Sequence, residues 1–149
     1  FKQKTAYEIR LSLVGSEMCI RDRYNDFAGI YEKADMAGRI AAKNCTPTPM
    51  VVGQAKNIFS NEMDYSKGVE VVEAGVCGFA WVNIKPGTSA FAKFLMNNGY
   101  ARKDEFYGGV TVWVRDYNQS MTLKEAYAEA FSQVLTAAGF KSYSMSRMD

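Results

Sequence analysis

The chain has 149 residues, with 18 Lys/Arg against 16 Asp/Glu and no histidine. The missing histidine excludes Ser-His-Asp and Cys-His arrangements, a histidine general base and every histidine-ligated metal site. No run approaches the span of a transmembrane helix, and the cysteines are too few for a disulfide scaffold.

The N-terminal stretch reads unlike the rest. Lys2-Gln3-Lys4-Thr5-Ala6-Tyr7-Glu8 and Leu13-Val14-Gly15-Ser16-Glu17-Met18-Cys19-Ile20-Arg21-Asp22 back-translate into strings that resemble the adapters of short-read sequencing libraries, with room for an index between them. Glu8, Arg10 and Glu17 interrupt its apolar residues, which argues against a secretory segment. We therefore expect residues 1–23 to be adapter-derived and the natural protein to begin at or before Tyr24. Setting aside their five basic and three acidic residues leaves 13 of each in residues 24–149. A neutral domain carries no electrostatic footprint for non-specific nucleic-acid or membrane binding. Cys45 and Cys77 are not spaced as a metal-ligand pair, so a reduced, cytoplasmic setting without metal or cofactor is the simple expectation.

Residues 24–44 predict a helix, with Phe27, Ile30, Tyr31, Ala34, Ala37, Gly38 and Ala41 on one stripe. The small residues on that stripe permit close approach to a neighbour. Cys45-Thr46-Pro47-Thr48-Pro49 ends it, because residues before proline avoid the α region. Residues 50–67 lack periodicity and predict an ordered loop, or a short element hidden within it. Residues 69–85 are β-like, and Ala74-Gly75 leaves one bent strand and a hairpin both open. Thr88 is placed to cap a helix ending near Gly99, and Gly108-Gly109 leads into a strand over residues 110–117. Thr122-Leu123-Lys124-Glu125 has capping-box spacing before a helix that Gly139 terminates. Residues 140–145 predict a last strand, with 146–149 as a tail. The expected fold class is α/β, with α+β open: a two-layer sandwich in which an N-terminal helix precedes β-α-β-α-β.

Strand parity separates two sheet faces. Val76, Gly78, Ala80, Val82 and Ile84 point one way, while Cys77, Phe79, Trp81 and Asn83 point the other. Val110, Val112 and Val114 likewise alternate with Thr111, Trp113 and Arg115. Aromatics mostly fill cores, so helices are expected over both faces. The functional alternative makes Phe79, Trp81 and Trp113 a subunit contact or a stacking pocket for a planar ligand. Beside it, Arg115, Gln119, Ser120 and Lys124 flank a helix N-terminus suited to a phosphate, although an ordinary capped loop is the plainer reading. Cys77 would need Lys, Arg or a helix end to serve as a nucleophile and is expected to be a buried strand residue. Gly108-Gly109 lacks the spacing of a phosphate-binding loop. Glu70, Glu73, Asp104 and Glu105 read as solvated charges.

The strings Pro47-Thr48-Pro49-Met50-Val51-Val52, Cys77-Gly78-Phe79-Ala80-Trp81, Lys124-Glu125-Ala126-Tyr127-Ala128 and Ser146-Arg147-Met148-Asp149 resemble a family of small tailed-phage proteins met in environmental sequence. The resemblance implies a phage origin and no particular chemistry. With no histidine, the leading expectation is a non-catalytic accessory protein of the host cytoplasm, binding a small nucleotide-like signal or a host protein. The alternatives are a lyase or transferase using Cys77, Lys124 or a carboxylate, and a virion or assembly component. Three helices are too few to cover two apolar sheet faces, so a homo-oligomer is expected.

Overall fold

The computed structural model describes residues 26–149; the expected adapter segment, residues 1–23, lies outside the described residues, as do Tyr24 and Asn25. Helix α1 runs through residues 26–44 and stops before the two prolines, as their backbone restriction requires. Its close approach to a neighbour is real at Gly38, where a Cβ would fall 2.6 Å from the Tyr127 ring.

The stretch expected to be an ordered loop, or to hide a short element, does hold short elements: strand β1 (Met50–Gly53) and a 3-10 turn at Tyr65–Lys67. Strand β1 pairs antiparallel with β2 (Val69–Val72), matching Val51 to Val71. The β-like stretch 69–85 is neither one bent strand nor a hairpin. Its halves enter different sheets: β2 joins β1, and β3 (Gly78–Lys85) joins a four-stranded sheet. The break falls where Gly75 adopts φ +76°, a left-handed conformation that suits glycine, and its N–H donates to Val72 O at 3.1 Å.

After β3 come helix α2 (Ala90–Asn97), strands β4 (Arg102–Lys103) and β5 (Val110–Trp113), helix α3 (Met121–Ala137) and strand β6 (Lys141–Met148). Both helix starts are set by serines rather than by the threonines expected. Ser89 Oγ accepts from Ala92 N, and Ser120 Oγ accepts from Leu123 N, so Thr122 lies inside α3 and its capping box does not form. The supposed tail, residues 146–149, is mostly strand, because Ser146, Arg147 and Met148 pair with Ala80, Phe79 and Gly78.

The larger sheet has the order β4-β5-β3-β6, and β3 is antiparallel to both neighbours. Strands β5 and β6 therefore run the same way on either side of β3, and α3 crosses over between them. Helix α2 instead leads, through β4, back to an antiparallel neighbour. This β-α-β-β-α-β connectivity is the split β-α-β, or ferredoxin-like, arrangement of an α+β fold.

One core lies on the aliphatic side of that sheet. Ala80, Val82, Ile84, Val110 and Val112 meet Ala34 of α1, Phe91 and Leu95 of α2, and Phe131 and Leu135 of α3. Phe91 also stacks on Phe140, with ring centroids 4.3 Å apart. Burying each of these large side chains contributes on the order of 1.5–3 kcal/mol. Helices were expected over both faces; the three helices all supply this one core, and Trp81, though buried, is not part of it. No helix among the described residues is long and apolar enough to cross a membrane.

Candidate functional site

The opposite face carries the side chains of opposite parity. Register places Trp81 of β3 directly across from Trp113 of β5, with ring centroids 4.9 Å apart and planes inclined by 38°. Tyr107 adds a third ring 6.5 Å from Trp81. Together they form part of the wall of a cleft of about 560 Å³. Trp81 is 8% exposed and forms the floor, whereas Trp113 is 44% exposed and offers an open ring face. Arg102, Lys103 and Arg147 stand around the same cleft with Asp104 and Glu105, so it combines flat apolar surface with three cations and two carboxylates.

The cleft wall is shaped by Asp104, a carboxylate expected to be merely solvated. Its Oδ1 accepts from Phe106 N and Tyr107 N at 2.9 and 2.8 Å. Its Oδ2 accepts from Thr111 Oγ1 at 2.7 Å and Asn83 Nδ2 at 3.3 Å. Desolvation pushes this carboxyl up, but the four donated hydrogen bonds outweigh it and hold the group below its ordinary value. The chain is thereby folded into a tight bend over residues 104–109, which carries Phe106 and Tyr107 to the cleft. Asn83 is 1% exposed; its Nδ2 also donates to Gly108 O, and its Oδ1 has no hydrogen-bond partner among the described residues.

The other half of the expected site lies elsewhere. Ser120 is buried: besides capping α3, its hydroxyl donates to Ala74 O at 2.7 Å. Lys124 is buried as well, and its ammonium donates to Gly78 O at 3.1 Å while lying 5.4 Å from the Phe79 ring centroid. Gln119 is exposed, and its carbonyl accepts from Gly78 N. The start of α3 thus ties down the start of β3, with Ser120 and Lys124 turned inward instead of toward the tryptophans. Phe79 sits over Lys124 and does not line the cleft. Cys77 corrects another expectation: it is exposed, not buried.

Arg115 lines a second, smaller hollow of about 170 Å³ on the far side of Trp113, together with Tyr31, Asp35, Arg39 and Tyr127. There the Tyr127 hydroxyl donates a hydrogen bond to Asp35, which also accepts from Arg39 Nε at 2.9 Å. Burial, reinforced by Asp35, pushes the Tyr31 phenol up to about 12 and Tyr127 higher still. Both phenols therefore stay protonated near neutral pH, and the Tyr127 bond to Asp35 acts as a structural tie between α1 and α3 rather than as a catalytic base. Among the described residues no group of three or more Cys, Asp or Glu is placed to hold a metal.

Sequence reasoning found the tryptophan pair but missed Arg102, Lys103, Asp104, Tyr107 and Arg147. A signal for Asp104 was present: an aspartate shortly before Gly108-Gly109 is turn chemistry. Arg147 had none, because its place depends on how far β6 continues. No protein-family model matches the chain, and no curated protein or solved structure matches it either.

Proposed function

We propose that this chain is a non-catalytic binding protein whose ligand is a planar anion of the nucleotide kind. The observation that carries the reading is the open Trp113 ring beside Trp81 in a cleft holding Arg102, Lys103 and Arg147. A base stacks on the ring, and a phosphate sits toward the cations. Arginine suits the second task because its planar fork matches phosphate oxygens. The setting that fits the tailed-phage resemblance is a phage accessory protein in the host cytoplasm, with the ligand a small host signal.

A second reading, as an assembly component or a binder of a host protein, draws on a different region. The β1–β2 arm leaves Val51, Val52 and Val71 exposed, and Ile58 and Phe59 are 91% and 94% exposed. Exposed apolar patches of this kind mark contacts, and a homo-oligomer built through the arm is compatible with ligand binding in the cleft.

The chain has two tryptophans, and both belong to the cleft, so intrinsic fluorescence reports on the site directly. Titration with a panel of nucleoside monophosphates and cyclic nucleotides should quench it at micromolar concentrations. Stacking contributes about 1–3 kcal/mol per base, so Trp113→Ala should weaken binding by roughly tenfold or more. A panel in which nothing binds more tightly than millimolar refutes the reading.

A further inference from the structure

We infer that the sheet face that no described helix covers binds single-stranded nucleic acid, laying about two to three nucleotides across β5, β3 and β6. The inference rests on the nucleotide reading above and extends it from one base to a strand. Three observations carry it: the length of the aromatic surface, the placement of unpaired cations, and the confinement of the helices to the other side.

Register lays the face out in rows. Arg147 stands opposite Phe79 at one end. Trp81 comes next, flanked by Trp113 and Met145. Asn83 follows, with Thr111 and Tyr143 at its sides and Arg102 beyond Thr111. Lys85 and Lys141 close the far end. From Phe79 to Lys85 is about 20 Å along the strand, and the sheet is about 14 Å wide. Asn83 and Thr111 are buried against the 104–109 bend, so the accessible part of the face runs from Trp113 to Phe79, Met145 and Tyr143, and a mononucleotide stacked on Trp113 leaves those three uncovered. The exposed aromatic surface continues outside the cleft, with Phe79 at 36% and Tyr143 at 53% exposure. A four-stranded sheet with aromatics on its central strands can stack successive bases.

The cations complete the match. The ion pairs among the described residues engage Arg39, Lys56 and Lys67, and none engages Lys85, Arg102, Lys141 or Arg147. These four occupy the two ends and one edge of the face, around an aromatic middle. The acidic groups beside them include Asp104, already satisfied by four donors, Glu105 on the cleft wall, and Asp149, two residues beyond Arg147 at the same parity. Residues 24–149 balance to zero charge overall, yet this face gathers cations. Stacking therefore supplies most of the attraction and phosphate contacts a smaller part, so binding depends only modestly on salt. A duplex hides its base faces and offers this surface phosphates alone.

The test compares thymidine monophosphate, a thymidine trinucleotide, a thymidine octamer and a duplex of the octamer's length, by tryptophan quenching and by anisotropy of labelled strands. The trinucleotide and octamer should bind at least about tenfold more tightly than the mononucleotide, because one further stacked base is worth that much. The duplex should quench little. With about three phosphates neutralised, the logarithm of affinity should fall against the logarithm of salt with a slope near −2. Lys85→Ala and Lys141→Ala should weaken the octamer severalfold and leave the mononucleotide unchanged. Equal affinity for mononucleotide and octamer overturns the inference but leaves the nucleotide reading standing. Equal binding of duplex and single strand, or octamer binding indifferent to Trp113→Ala, overturns it too. No binding by any of the four overturns the inference, and the nucleotide reading falls with it when the panel of nucleoside monophosphates and cyclic nucleotides also fails to bind.

Discussion

Replacing Asp104 by alanine should loosen the cleft wall and cost the domain measurable stability. The carboxylate accepts four hydrogen bonds, but they are not equal. The Phe106 and Tyr107 amides belong to exposed residues and can turn to water, so each loss costs about 0.5–1 kcal/mol. The Thr111 hydroxyl is on a buried residue and would lose its acceptor, at about 1–2 kcal/mol. Asn83 Nδ2 keeps its bond to Gly108 O and adds little. The total is about 2–4 kcal/mol, or a fall in melting temperature of roughly 6–12 °C for a chain of this size. The assay is a thermal melt by circular dichroism, read beside tryptophan emission, which should shift as Tyr107 leaves Trp81. The same contribution has a defined pH dependence. Asp104 titrates below its ordinary value of 3.8 in the folded protein, so its stabilisation is complete above about pH 4 and is lost as pH falls through the lower folded value. The melting gap between wild type and Asp104→Ala should therefore be constant at neutral pH and narrow in acid. A variant that melts within about 2 °C of wild type at pH 7 would refute this account of the wall.

Three further outcomes follow from the packing. Gly38→Ala should destabilise the domain by up to about 2 kcal/mol in chemical denaturation: overpacking against the Tyr127 ring costs about 1–3 kcal/mol, against a gain in helix propensity of about 1. A stabilised variant would mean that α1 and α3 are not so close. Ser120→Ala removes the α3 cap and the hydroxyl bond to Ala74 O together, so a loss of about 1–2 kcal/mol is expected, and a neutral result would contradict the inward placement of Ser120. In a Cys19→Ser background, a thiol reagent should label Cys77 promptly in the folded protein and the half-buried Cys45 later; labelling of Cys77 only on unfolding would contradict its exposure.

Much of this protein was legible from local signals. Proline placed the end of α1, Gly99 and Gly139 placed the ends of α2 and α3, and strand parity separated an aliphatic from an aromatic face. These depend on periodicity and on backbone restrictions that act over a few residues. The tryptophan pair was legible for the same reason, since parity alone assigns Trp81 and Trp113 to one side. Pairing decided the rest. Whether residues 69–85 made one strand, a hairpin or parts of two sheets depended on β1 finding β2, a partner distant in sequence. Register between β6 and β3 carried the last strand to Met148 and set Arg147 beside Phe79. Lys124 and Ser120 look like anion ligands in the sequence, but the docking of α3 against β3 turned them inward to the Gly78 and Ala74 carbonyls. A side chain's type states what it can bind. Which group satisfies it is settled when distant backbone acceptors come within reach, because a buried donor must take the partner that folding brings to it.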